Sequence, residues 1–154
     1  MLRAMGALCL ALCGWCCGAA AAQRASLHRQ TLEQTLQLLE RITQEIRYRK
    51  LPLDAVLAAL RREGACPLLG LPACAGLQQL PAPEVLTPAE QACFRECFSG
   101  LGHGSGAQEC RRLACYRDRF GRMQAEAREQ ERQARQLYPR LGLAAGAMLA
   151  IAVL

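Results

Sequence analysis

The chain has 154 residues, of which 52% are hydrophobic and 21% charged, with ten cysteines and a formal charge of +6 at pH 7. This length is enough for one domain and too short for two of ordinary size. The apolar residues are concentrated in Ala4–Ala22 and Leu141–Leu154, neither of which contains a charge. The composition therefore argues against both a wholly soluble and a polytopic protein.

The two apolar ends are interpreted as membrane segments. A helix over Ala4–Ala22 would be about 28 Å long, close to the ~30 Å hydrocarbon thickness of a bilayer. The alternative for this segment is a signal peptide cleaved after Ala22. Leu141–Leu154 would be only about 21 Å long but has no polar face; its alternative is a terminal helix packed on the core.

The charges beside these segments predict the topology. Arginines follow the first segment and precede the second, whereas only Arg3 lies beyond them. The positive-inside rule then predicts an N-terminal transmembrane helix over residues 1–22, a helical cytoplasmic domain over 23–140 and a C-terminal transmembrane segment over 141–154. Both termini would lie across the membrane from the domain.

The central domain is predicted to begin with a helical hairpin. An amphipathic helix is expected over Arg24–Lys50, because its apolar residues recur at three- and four-residue spacings. Pro52 suits the first turn of a second helix that ends at Gly64. The buried positions are expected to be Leu32, Leu36, Leu39, Ile42 and Ile46 in the first helix, and Leu53, Val56, Leu57 and Leu60 in the second.

A connector and two further helices are predicted to follow. Residues 65–86 are rich in Pro, Gly and Cys, which leaves room for a short helix around Leu68–Leu80 at most. The capping box Thr87-Pro88-Ala89-Glu90 predicts the start of a helix that ends at Gly102. A long helix is then expected over Ala107–Tyr138. Its expected buried stripe is Cys110, Leu113, Phe120, Met123, Ala127, Ala134 and Leu137.

These patterns predict an all-α fold. The sequence has few β-branched residues and no apolar alternation of the kind that marks strands. The expected architecture is a helical bundle of four to six helices, with coiled-coil-like spacing in its first helix, flanked by N- and C-terminal membrane helices.

Candidate site chemistry is sparse in this sequence. The domain contains six cysteines, and their positions on apolar stripes favour packing, with a two-thiol metal half-site at Cys93 and Cys97 as the alternative. We predict no catalytic residues, no metal and no cofactor, and hence no enzyme. The 18 arginines are interleaved with glutamates, which favours a solvated or partner-facing helix over a nucleic-acid surface.

Three short motifs occur in order along the chain. They are Glu45-Ile46-x-Tyr48-x-x-x-Pro52-Leu53 at the first bend, Leu101-Gly102 at the close of the third helix, and Tyr138-x-x-Leu141-Gly142 before the terminal segment. In these motifs the chain resembles, over essentially its whole length, the stage III sporulation protein AB family of endospore-forming bacteria. It departs from the usual Ser-Asp pair after Leu101-Gly102, where His103-Gly-Ser-Gly-Ala-Gln108 stands.

The resemblance implies a function in a membrane assembly. It implies a membrane protein of the mother cell facing the forespore, similar in its helical domain to the type II secretion inner-membrane platform protein. The implied partners are the other stage III sporulation channel proteins and the secretion-type ATPase encoded beside it, and homo-oligomerisation stays open. The alternative function is that of an exported, disulfide-stabilised helical protein.

The first two motifs are interpreted as a structural or docking element formed by Glu45, Ile46, Tyr48, Pro52, Leu53, Leu101 and Gly102. Pro52 is expected to fix the start of the second helix. The Tyr48 ring is expected to pack on the hairpin with its hydroxyl in water. Glu45 is expected either to cap or pair with an arginine across the hairpin, or to lie in solvent.

Overall fold

A computed structural model of the chain describes residues 2–49, 52–64, 67–69 and 76–153, and for residues 2–11, 49, 68, 139, 143, 146 and 149–153 it describes the backbone alone. Four α-helices are present in these ranges: α1 (Leu2–Gln44), α2 (Leu53–Glu63), α3 (Pro88–Ser99) and α4 (Gly106–Val153). A π-helical turn, Glu45–Arg49, continues α1, and single 3₁₀ turns occur at Pro67–Leu69 and Leu77–Gln79. The described residues contain no β-strand, and the predicted all-α class is confirmed.

The chain divides into two compact units. The terminal unit comprises Met1–Arg29 and Glu126–Leu154, and the central unit comprises Gln30–Ala125. No helix within the described ranges has a stretch long and apolar enough to cross a bilayer. The membrane segments, and their boundaries at 22/23 and 140/141, stay predictions.

The core of the central unit consists of one apolar face from each of its helices. Phe94 and Phe98 of α3 pack against each other with ring centroids 4.5 Å apart and ring planes tilted by 40°. Both are almost fully buried, as is Phe120 of α4. The predicted buried positions that are confirmed are Leu32, Leu39, Ile42, Val56, Leu57, Leu60, Leu113 and Phe120. These faces are the ones that the three- and four-residue spacings select.

The buried face of α1 differs in part from its prediction. Leu38 is fully buried, whereas Leu36 and Ile46 are half-buried. Thr31 and Thr35 are also buried, and the Thr35 hydroxyl donates a hydrogen bond to the carbonyl of Thr31 at 2.9 Å. Satisfying the hydroxyl within the helix allows a polar residue on the core face.

The termini of α2 and α3 follow local sequence signals. Gly64 ends α2 in the left-handed conformation at φ 61°, as predicted. The capping box at α3 is confirmed: the Glu90 carboxylate accepts from the Thr87 N–H at 2.8 Å, and the Glu90 N–H donates to the Thr87 hydroxyl at 3.4 Å. The predicted end of α3 at Gly102 is wrong, because the helix ends at Ser99 and the chain turns Leu101 into the core.

The helix α4 is longer than predicted. It runs without interruption through Pro139 to Val153, past the expected end at Tyr138. Ala127 and Ala134 of the expected stripe are buried, but Leu137 is 54% exposed. The apolar stripe thus stops being a core face after Ala134, where the exposed large apolar residues Leu137, Tyr138, Leu141 and Met148 follow.

Polar and backbone contacts join α1 and α4 within the terminal unit. The Glu131 carboxylate is mostly buried, with one oxygen 2.6 Å from Nε of Arg29 and the other 3.0 Å from Nη2 of Arg135. Burial opposes its ionisation, but hydrogen bonds from Ser26 and Arg29 and the two positive charges outweigh burial and lower the pKa of Glu131. Gly142 lies so close to Gly14 that a Cβ atom would collide with the Gly14 carbonyl.

Candidate functional site

The candidate site is the bend between α1 and α2, at which the first motif lies. Pro52 is the N-cap of α2 at φ −62°, and its carbonyl accepts from the N–H groups of Ala55 and Val56 at 3.0 and 3.2 Å. The proline ring holds φ in this range, and no N–H is required at that position. The prediction that Pro52 starts the second helix is confirmed. Pro52 is the N-cap residue, one position before the first turn in which it was expected.

An arginine joins the two helices of the hairpin. Nη2 of Arg41 lies 2.9 and 3.0 Å from the two carboxylate oxygens of Glu63 on α2, and Nε of Arg41 lies 4.0 Å from Oε1 of Glu45. The ion pair across the hairpin is therefore made by Arg41 and Glu63. Glu45 lies beside this pair in the π-helical turn, one helical turn beyond Arg41. Its side chain is largely buried, which corrects the alternative that Glu45 lies in solvent.

Tyr48 projects away from the hairpin. Its side chain is 76% exposed, with the guanidinium carbon of Arg47 5.8 Å from the ring centroid. The expectation that its ring packs on the hairpin is wrong. The π-helical turn adds a residue to the helical repeat and rotates this position outward, which leaves an aromatic ring accessible beside an arginine.

The two distant motifs meet at Gly102. This residue has φ +87°, and a Cβ atom there would lie 3.1 Å from Cδ1 of Leu53 and 3.3 Å from Nε2 of Gln78. The Gln78 amide also donates a hydrogen bond to the carbonyl of Leu101 at 2.5 Å. The left-handed backbone therefore favours glycine, and a Cβ atom there would require the Leu53 side chain to shift by a few tenths of an ångström.

A cleft of about 560 Å³ opens around this contact. The structure brings four motif residues to its wall, together with the carboxylates of Asp54 and Glu109; the four are Ile46, Pro52, Leu53 and Gly102. Leu101 is fully buried beside them. Glu45 and Tyr48 do not line the cleft. The seven predicted residues therefore include four that line the cleft, the buried Leu101 beside them and the exposed ring of Tyr48.

The wall that carries Glu109 is fixed to α3 by Arg112, which sequence reasoning missed. Nη2 of Arg112 lies 3.0 Å from the carbonyl of Cys97 and 3.2 Å from the Glu109 carboxylate, and the guanidinium lies over the Tyr116 ring at 5.7 Å. It thereby satisfies a carbonyl in the last turn of α3. The three-residue spacing of Glu109 and Arg112 indicates that the two side chains can pair on one helix face. Only the folded structure shows that Arg112 also reaches the Cys97 carbonyl.

The cysteines of the central unit divide by burial. Cys93 and Cys97 are buried as predicted, whereas Cys110 is half-buried and Cys115 exposed, which corrects their placement in the core. Burial, against the charge of Arg112, raises the pKa of Cys97 to about 12, and burial also raises the pKa of Cys93. These two thiols therefore stay protonated near neutral pH. Cys66 and Cys74 lie outside the described residues.

The comparison with protein families decides the assignment. A family model described as stage III sporulation protein AB matches residues 3–77 and 74–154. The chain belongs to the stage III sporulation protein AB family. Membership implies involvement in stage III sporulation. The two matched segments meet inside the connector, and no curated protein and no solved structure matches the chain.

Proposed function

We propose that this member of the stage III sporulation protein AB family is a non-enzymatic membrane component of a secretion-like channel between mother cell and forespore. It acts there as a platform for the channel's ATPase. The observation that carries the proposal is the meeting of the two motif segments, far apart in sequence, at one cleft with Tyr48 exposed beside it. Such an arrangement offers a rigid, shaped surface for a protein partner.

The make-up of the cleft favours docking over catalysis. Its wall contains glycines, apolar side chains, amides and two carboxylates. In the part of the chain that the structure describes, no three His, Cys, Asp or Glu side chains converge as a metal site would require. Exposed aromatic residues beside arginines are common anchors of protein interfaces. The site is therefore proposed as a docking element.

The terminal unit supports the membrane part of the proposal. Ala4–Ala22 and Leu141–Leu154 carry no charged residue. Leu12, Trp15, Leu137, Tyr138 and Leu141 expose large apolar surfaces there. An exposed apolar surface of this kind needs a cover, and Trp and Tyr are typical of membrane interfaces. We propose the mother-cell membrane facing the forespore as that cover, with the central unit in the cytoplasm.

A binding measurement tests the platform role. The full chain in lipid nanodiscs is titrated with the stage III sporulation ATPase of the same host. Tyr48→Ala is expected to weaken binding on the order of tenfold, because a truncated aromatic anchor costs about 1–3 kcal/mol. The matched control is Val85→Ala, another exposed apolar residue of the central unit.

Each outcome of this titration bears on the proposal. A selective loss for the Tyr48 variant supports docking at the bend. Equal affinities for wild type and both variants would place the ATPase contact elsewhere on the chain. No binding by the wild-type protein would overturn the platform role.

A further inference from the structure

A second groove lies beside the bend, between α1 and α4. Its volume is about 850 Å³. Ile46 and Arg47 line it from the side of α1 and the π-helical turn, and Ala107, Cys110, Ala114 and Arg117 line it from α4. We call this surface the α1–α4 groove. Ile46 separates it from the cleft described above.

The floor of the α1–α4 groove has the periodicity of a helix-packing seam. Ala107, Cys110, Ala114 and Arg117 follow one another at spacings of three, four and three residues, which places them on one face of α4. The first three side chains are small, so a partner backbone could approach α4 closely. The face is about 15 Å long, or nearly three helical turns.

The rim of the groove is positively charged. Arg47 and Arg117 are exposed, and among the described residues that line the groove they are the charged ones. Exposed guanidinium groups beside an apolar floor favour a partner that carries carboxylates.

We propose that the α1–α4 groove binds an amphipathic helix of a partner protein, with apolar residues on its buried face and carboxylates along its edges. A three-turn floor matches the length of a helical segment, whereas a single phosphate headgroup would need only the two guanidinium groups. This surface adjoins the proposed ATPase contact, because the guanidinium carbon of Arg47 lies 5.8 Å from the Tyr48 ring centroid. The substitution Ala114→Leu, on the floor of the groove, changes no residue of that contact.

The test uses a synthetic helical peptide with Ala and Leu on one face and Glu at the flanks. Its binding to the full chain in nanodiscs of neutral lipid is followed by fluorescence anisotropy. The comparison peptide has Gln in place of each Glu. Vesicles of acidic phospholipid replace the peptide in a third arm.

The variants separate this groove from general charge. The double variant Arg47→Glu with Arg117→Glu is expected to weaken peptide binding on the order of tenfold or more, since two rim attractions become repulsions. The matched control is Arg119→Glu with Arg122→Glu, which makes the same charge change at exposed positions of α4 outside the groove. Ala114→Leu is expected to block binding by filling the floor.

The proposal holds if the Glu peptide binds more tightly than the Gln peptide, and if the groove variants lose peptide binding while the control double variant keeps it. Absence of peptide binding, equal loss in the control double variant, or unchanged binding by Ala114→Leu would overturn it. Groove-dependent binding of the acidic vesicles in place of the peptide would assign the arginines to lipid headgroups and would also overturn it.

Discussion

Gly102 satisfies two geometric conditions at the candidate site. Its backbone is left-handed at φ +87°, and Leu53 lies within 3.1 Å of the position of a Cβ atom. Gly102→Ala is therefore expected to lower the free energy of unfolding by about 1–3 kcal/mol. Urea unfolding of the full chain in detergent measures the change.

The control for this substitution is Gly121→Ala on α4. A Cβ atom at Gly121 would meet nothing within 4 Å, and alanine is the better helix former by about 1 kcal/mol. This variant should be as stable as wild type or more stable. Equal effects at both glycines would contradict the role given to Gly102.

Glu131 makes the terminal unit sensitive to acid. Its folded-state pKa is lowered, so its contribution to stability is fully present above the unfolded-state value of about 4.3 and is lost as the pH falls through the folded-state value. Glu131→Gln is expected to be less stable at neutral pH and to lose less stability on acidification than wild type.

The pH dependence has its own control at a neighbouring carboxylate. Glu129 is exposed on the same helix, and Glu129→Gln should follow the wild-type profile. The free energies of unfolding of the three proteins are compared from about pH 6 to pH 3. If the stability of Glu131→Gln fell with pH as steeply as that of wild type, the ion pairs of Glu131 with Arg29 and Arg135 would not be the source of the acid dependence.

At the level of whole elements, the start of α3 depends on its capping box. Removing the hydroxyl that accepts from the Glu90 N–H in Thr87→Ala should cost about 1 kcal/mol of unfolding free energy. Ser99→Ala, at the other end of α3, removes an exposed hydroxyl that donates to the Glu96 carbonyl and should cost much less. Thermal unfolding compares them, and equal losses would show that the cap is not a specific stabiliser.

The crossing of α1 and α4 depends on two glycines. A side chain at position 142 would collide with the backbone of Gly14, so Gly142→Leu is expected to separate the helices and to destabilise the terminal unit by about 1–3 kcal/mol. Ala144→Leu, at an exposed position of the same helix, is the control. Thermal unfolding in detergent compares the two variants. Equal unfolding midpoints would contradict a close crossing.

The elements could be predicted from sequence where the signal was local. The capping box, Pro52 and Gly64 each act within a few residues, and all three mark helix ends as expected. The end of α3 differs from its prediction because Leu101 packs into the core. The outward position of Tyr48 depends on the π-helical turn. Neither has a local sequence signature, because both follow from how distant segments fit together.

The candidate site could be predicted only in part for the same reason. Its motif residues can be identified from the sequence, and the close approach of Leu53 to Gly102 brings the two motifs together. The Arg112 contact with the Cys97 carbonyl and the α1–α4 groove are tertiary features. Spacing along the chain places residues on a helix face but does not show which carbonyl or helix that face meets.

On the scale of the whole molecule, the chain comprises a central helical unit that contains the cleft and a terminal unit that exposes apolar surface. The platform role requires that the chain keep Ala4–Ala22 as an anchor. If that segment were removed as a signal peptide, the central unit would be exported, where its cysteines would meet an oxidising environment.

The most direct test is the intact mass of the chain in the carbonate-washed membranes and in the carbonate wash from sporulating cells, measured with and without a thiol reagent. We predict a membrane-bound chain that still contains residues 4–22, with thiols that react after denaturation. A chain that begins after Ala22, is released by carbonate and carries disulfides would contradict the membrane platform and support the exported protein.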